Sequence, residues 1–172
     1  GHATQLDWTQ PFRDRGVPIA TIGHCPAVEG IGSCWVDERQ GFALLLDHLA
    51  ERGTTTVGFI GSNQPVHQAR ATVLRELIAA HPSLSTRDGW FSFSEQRGMS
   101  AGHEALSHIV QQCERPQAIL GASDLRAIGA LRSAHEAGLT IPRDLRLTGF
   151  DDLEWASLTV PSLTTVQVPR LP

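Results

Sequence analysis

No lysine occurs among the 172 residues; every cationic side chain other than histidine is an arginine. That absence counts against a phospho-receiver or phosphatase built around Asp151-Asp152, which would want an early acidic cluster and a late lysine. Nor is there a surplus of positive charge: 14 arginines face 18 carboxylates, for a formal net charge of −4. A domain that grips nucleic acid by itself carries a basic face, so direct DNA binding by this stretch is not expected. Cysteine is scarce and odd in number, at Cys25, Cys34 and Cys113. No disulfide framework can be read from that spacing, and a reducing cytosol is the expected compartment.

Long apolar runs are also missing. The longest, Phe42 to Leu46, is a piece of an amphipathic helix, far short of the roughly 18 residues that span a bilayer. Gly1-His2-Ala3 opens no charged segment followed by an apolar stretch, so no signal peptide is expected. The abrupt opening reads as that of a fragment. Catalytic signatures are absent as well. There is no G-x-S-x-G elbow and no phosphate-binding G-x-x-x-x-G-K-[ST] loop. Gly30-Ile31-Gly32 begins like a dinucleotide fingerprint, but Trp35 stands where the third glycine belongs, and the run precedes a strand instead of opening a helix. His24-Cys25 with Cys34 is the one tempting metal set, and its ordinary reading is a loop histidine with two small buried thiols. His103 and His108, five apart, share a helix face poorly. No metal, cofactor or catalytic residue is expected.

What is present is the composition of a folded domain, 41% apolar and 19% charged. Val17 to Gly23 is a short β-branched strand, residues 24 to 31 a loop, and Ser33 to Val36 a second strand. A helix over 37–52 carries Phe42, Leu45, Leu46 and Leu49 on one stripe, with Asp37 as its N-cap and Gly53 as its stop. Strand 55–61, apolar throughout, expects burial on both faces. Then follow helix 67–80, strand 90–93, helix 97–113, strand 117–120, helix 124–137, strand 145–150, a helical turn 153–158 and an extended segment 163–168. In helix 124–137, Leu125, Ile128 and Leu131 fall on one face, and replacing Leu131 is expected to cost about 2–5 kcal/mol if it is core. Such alternation predicts an α/β fold, a Rossmann-like, mostly parallel sheet flanked by helices.

Ligands of such sheets bind beyond the carboxyl ends of the strands. The polar groups falling there are Arg70, Ser123, Asp124 and Asp151, accompanied by the aromatic Phe91 and Phe93. A guanidinium and a carboxylate each offer paired hydrogen-bonding atoms that suit adjacent sugar hydroxyls or a nucleobase edge. An aromatic ring can cover the apolar face of either. The plain alternatives are a solvated helix residue at Arg70 and a turn-capping aspartate at Asp151.

Several segments, taken in order, resemble the effector-binding region of the lactose-repressor/galactose-repressor (LacI/GalR) family. They are Val57-Gly58-Phe59-Ile60-Gly61, then Arg70, Gly102-His103-Glu104-Ala105 and Ala122-Ser123-Asp124 through Leu131. Ala137-Gly138-Leu139-Thr140-Ile141-Pro142-Arg143-Asp144, Gly149-Phe150-Asp151-Asp152 and Pro161-Ser162-Leu163-Thr164-Thr165-Val166 complete the series. The likeness runs from about Gly16 to Pro169. It implies a periplasmic-binding-protein-like fold of two Rossmann-like subdomains joined by a hinge. Residues 37–164 would be one complete subdomain, and 1–36 and 165–172 remnants of the other. Val36, Asp37, Thr164 and Thr165 would be hinge positions. It further implies a small-molecule effector, sugar or nucleobase-like, and operator DNA reached only through a helix-turn-helix that this stretch lacks. A homodimer, a cytoplasmic location and no membrane complete the picture. Arg70 resembles the arginine that holds effector hydroxyls or a carboxylate, and Asp151 the strand-end carboxylate.

Three positions depart from the family. Ser123 stands where many relatives have asparagine, Val73 replaces a usual glycine, and Arg97 falls at the usual aromatic wall, near Phe91 and Phe93. An added arginine in the pocket would favour an acidic or phosphorylated sugar. A periplasmic solute-binding protein of a transporter shares the architecture and is the competing reading. Replacing Arg70 by alanine is expected to weaken ligand binding and leave folding nearly intact.

Overall fold

The computed structural model describes residues 6–22 and 28–168. Two compact units divide between Asp37 and Glu38. In the first, a 3-10 turn at Asp7–Thr9 runs into a short helix, α1 (Gln10–Arg13), and two parallel strands follow, β1 (Ile19–Ile22) and β2 (Ile31–Cys34). The helical turn goes beyond the sequence reading. Pro11 sits in its first turn, where proline's missing N–H costs nothing, and the buried Thr9 hydroxyl donates to the Leu6 carbonyl at 2.7 Å. The second strand comes two residues earlier than expected. Its ladder sets Ile31 opposite Ile19, so Trp35 and Val36 lie beyond it. Half of the expected loop, residues 24–27, lies outside the described residues, His24 and Cys25 among them; residues 28–30 form a turn and Ile31 already begins β2.

The second unit holds a four-stranded, wholly parallel sheet in the order β4 (Phe91–Ser94), β3 (Val57–Ser62), β5 (Ala118–Gly121), β6 (Arg146–Thr148). Its helices are α2 (Glu38–Glu51), α3 (Pro65–Ala80), α4 (Gly98–Val110), α5 (Asp124–Glu136) and the short α6 (Glu154–Leu158). The α/β architecture expected from the alternation is therefore observed. Every residue of β3 is buried, as its unbroken apolar run required. Successive β3 side chains go to opposite faces: Phe59 meets Phe42 of α2 edge-on at 6.4 Å, while Ile60 joins Leu106 of α4 and Ala127 of α5 in a second apolar cluster. Helices therefore cover both faces.

The α2 stripe is as read: Phe42, Leu45, Leu46 and Leu49 are all buried. Gly53 ends the helix with φ +76°, and Gly138 ends α5 in the same way at +70°, the left-handed stop that glycine takes without strain. His81, extended before Pro82, closes α3.

The leucine face of α5 is not the one most deeply buried. Ala127, Ala130 and Ala134 are fully buried, whereas Leu125, Ile128 and Leu131 are only partly covered. The reason is how closely α4 and α5 approach. A Cβ on Gly102 would stand 1.8 Å from the Arg126 carbonyl oxygen, and one on Gly129 1.8 Å from the Met99 carbonyl oxygen. Backbones in contact leave room for alanine and glycine, not for leucine, so the small face turns in and the leucine face takes the margin.

Candidate functional site

The site begins with the loops that leave the carboxyl ends of β3, β5 and β6. β3 ends at Ser62, whose backbone N–H and hydroxyl both meet Nδ1 of His67, at 3.1 and 2.8 Å. That contact binds the first turn of α3 to the strand it follows. One turn on, Arg70 is 9% exposed. Its Nε donates to Glu38 Oε1 at 2.6 Å, Nη1 donates to the Ala122 carbonyl beyond β5, and Nη2 stands 3.8 Å from Oδ1 of Asp151 beyond β6. The guanidinium also lies over the Phe150 ring, 4.7 Å from its centroid. One side chain thus ties three strand ends together.

Asp151 reaches this position on an unusual backbone, with φ +111° at Asp151 and +51° at Asp152. Such angles strain any side-chain-bearing residue and persist where surroundings enforce them. Here the Asp151 N–H donates to the Val166 carbonyl at 3.0 Å, and the Asp152 N–H reaches the Thr165 hydroxyl. Asp124 organises the same turn. It is wholly buried, its Oδ1 accepts from the Thr165 hydroxyl at 2.5 Å, and its Oδ2 accepts from the Leu153 N–H at 2.7 Å. Burial raises its pKa above the ordinary carboxylate value, and those hydrogen bonds only partly offset the rise. Asp124 is accordingly a clamp within the protein.

Arg70, Ser123 and Asp151 are therefore brought together. Ser123 is buried, and its hydroxyl accepts from Arg126 Nη1 at 3.3 Å. The aromatic candidates separate. Phe91 is 8% exposed, stacks on Phe59 at 5.7 Å and is roofed by the Arg75 guanidinium 3.7 Å above its ring, so it belongs to the core. Phe93, two residues nearer the strand end, is half-buried and touches the Gly61 position beside His67. Arg97 is exposed at the N-cap of α4. Of the hinge candidates, Val36 and Asp37 follow β2 and end the first unit. Thr164 bridges Thr148, and Thr165 holds Asp124.

The expectation that removing Arg70 would spare folding is overturned. The side chain neutralises a buried carboxylate, Glu38 at 6% exposed, and satisfies the Ala122 carbonyl. Truncation would strand both.

Three residues of the site escaped the sequence reading: Glu38, His67 and Arg126. Arg126 is 8% exposed. Its pKa is lowered, chiefly by burial; the Asp151 carboxylate opposes this, and the Arg70 charge adds a smaller push downward. His67, 4% exposed, is lowered from 6.5 to about 4 by burial and then by the Arg126 and Arg70 charges. It is neutral at physiological pH and keeps Nδ1 as an acceptor toward the Ser62 N–H. All three stand in the first or second turn of a helix, and His67 and Arg126 follow β3 and β5. Polar side chains there aim at the strand ends, which is the signal that could have found them.

Residues 46–170 match the family model of the periplasmic binding protein-like domain. The chain belongs to that family. A periplasmic binding protein-like domain of this kind recurs in transcription regulators. The chain is 29% identical over 153 residues to the transcriptional repressor MelR of Bacillus subtilis, covering 86% of this chain and 44% of that protein. It is 32% identical over 168 residues to an HTH-type transcriptional regulator in the aml 5' region of Streptomyces limosus, covering 91% of this chain and 45% of that one. Among solved structures, a LacI-family regulator from Sanguibacter keddieii superposes with a TM-score of 0.76 at 28% identity, over 86% of this chain and 56% of that one. The resemblance to the LacI/GalR effector-binding region therefore holds, and the domain is of that type. It spans less than half the length of either curated relative. Among the described residues, no helix is long and apolar enough to cross a membrane.

Proposed function

We propose that this domain is the effector-sensing part of a LacI/GalR-type transcriptional repressor, binding a small polar molecule and performing no chemistry on it. The observation that carries this reading is the meeting of the Arg70 guanidinium with the Asp151 carboxylate, 3.8 Å apart, where β3, β5 and β6 end. A cation and an anion held that close at the ligand-binding edge of a parallel sheet suit a molecule with adjacent donors and acceptors, such as a sugar or a nucleobase. Ser123 and Phe93 serve as neighbouring contacts, and Val36, Asp37, Thr164 and Thr165 as hinge positions between this subdomain and one to which residues 1–36 and 165–172 belong. The whole protein acts in the cytoplasm as a homodimer and reaches operator DNA through a separate helix-turn-helix. The regulators among its relatives favour this over a transporter's solute-binding protein.

Ligand and operator binding are coupled through a free energy of about 1–3 kcal/mol, equal in both directions. The test is operator affinity of the full-length protein, measured with and without a panel of sugars and nucleobases. One or more of them should shift it about 5–150-fold. A panel that leaves operator affinity unmoved overturns the proposal.

A further inference from the structure

The two arginines of the site are in opposite states. Arg70 is paired: Glu38 takes Nε, the Ala122 carbonyl takes Nη1, and Nη2 stands 3.8 Å from the Asp151 carboxylate. Arg126 is just as buried, at 8% exposure. Yet among the described residues its fork of N–H donors makes a single long bond, Nη1 to the Ser123 hydroxyl at 3.3 Å, and its Nε has no acceptor. A buried guanidinium stays charged, and a buried charge is costly unless paired and hydrogen-bonded. No carboxylate lies within ion-pair distance of it among the described residues, and the nearest electrostatic relief comes from Asp151, already shared with Arg70. Among the described residues, the one group that hydrogen-bonds its guanidinium, the Ser123 hydroxyl, is neutral.

Its position adds to this. Arg126 lies in the first turn of α5, a 13-residue helix that starts at Asp124. The backbone N–H groups of that end and their partial positive charge favour an anion there. The α5 backbone at Arg126 is wedged against Gly102 of α4, so the helix cannot withdraw the side chain. His67 opposite is neutral because burial and the two guanidiniums drive off its proton, so it adds no third positive charge, and it supplies no anion either.

We propose that Arg126 binds an anionic oxygen of the ligand, a carboxylate or a phosphate, while Arg70 and Asp151 hold its hydroxyl or amide groups; the effector is then an acidic or phosphorylated polar molecule. This rests on the effector-site reading above and assigns to Arg126 the part that charge recognition plays in it. Arg70, anchored by Glu38 and a carbonyl, keeps its Nη2 beside Asp151 for the neutral groups of the ligand.

Inorganic phosphate and gluconate, each against chloride at matched low ionic strength, are the probes. Binding to the full-length protein is followed by calorimetry and by melting temperature. At least one of the two anions should bind and raise the melting temperature, phosphate alone pointing to a phosphorylated ligand and gluconate alone to a carboxylate. Arg126→Met should weaken that binding at least about tenfold, as loss of a charged hydrogen-bonding partner does, and Arg126→Lys should recover part of it. Circular dichroism and the melting transition report whether each variant folds; Arg126→Gln, which keeps polarity without charge, replaces the methionine variant if that one does not. No binding of either anion, or equal binding in wild type and the neutral variants, overturns the assignment. A neutral sugar or nucleobase that shifts operator affinity equally in wild type and Arg126→Met would leave the sensor standing and remove the anion. Anion binding lost with Arg126, in a protein whose operator affinity no ligand moves, would do the reverse.

Discussion

Glu38 Oε1 accepts from Arg70 Nε at 2.6 Å, joining the first residue of α2 to the second turn of α3 with both side chains buried. This pair decides what mutation of the site means. Arg70→Ala removes one partner of a buried ion pair, a change that costs about 3–5 kcal/mol. The variant should be destabilised in urea by that order, in addition to any loss of ligand. Arg70→Ala with the same unfolding midpoint as wild type would show that the pair is not formed in solution.

The α4–α5 contact tolerates no added carbon. Gly102→Ala and Gly129→Ala each push a methyl to 1.8 Å from a backbone carbonyl oxygen. Overpacking of this kind costs about 1–3 kcal/mol, and more where backbone must move. Both variants should unfold at lower denaturant concentration than Gly53→Ser, whose Cβ meets nothing within 4 Å and carries only the strain of its positive φ. The reverse ranking would contradict the observed helix spacing.

Leu131 is only partly buried at the edge of the core, whereas Leu106 is wholly buried. Leu106→Ala should cost about 2–5 kcal/mol, the range for a fully buried leucine, and Leu131→Ala less than half of that. Equal costs would mean that α5 is rotated from the position described.

His67 gives the domain a pH dependence of known sign. Its folded pKa, about 4, lies below the ordinary 6.5, so between those values the unfolded chain binds the extra proton. Stability therefore rises with pH across that window, is fully present above it, and is lost as the pH falls through it. The contribution is on the order of 3 kcal/mol. Burial is the main cause of the shift, the Arg126 and Arg70 charges add to it, and Ser62 opposes it through its hydrogen bond. Denaturant titrations between pH 4 and 7 should show a smaller slope for His67→Gln than for wild type. Parallel curves would remove His67 as the titrating group.

Much of this molecule was written along the chain. The alternation of strands and helices, the uninterrupted burial of β3, the four-residue stripe of α2 and the glycine stops at Gly53 and Gly138 all follow from local periodicity and backbone freedom, and these depend on residues close in sequence. Arg70, Ser123 and Asp151 were legible for a related reason: in a parallel sheet, whatever follows a strand's carboxyl end arrives at the same rim. Other features needed the third dimension. Which face of α5 turns inward was set by two glycines that let backbones touch, and Gly102 lies 27 residues before Gly129. That Arg70 is paired and Arg126 is not depended on Glu38, 32 residues before one and far from the other. A side chain's type is local, but its share of hydrogen-bond partners and of solvent is allotted by whatever the fold brings against it.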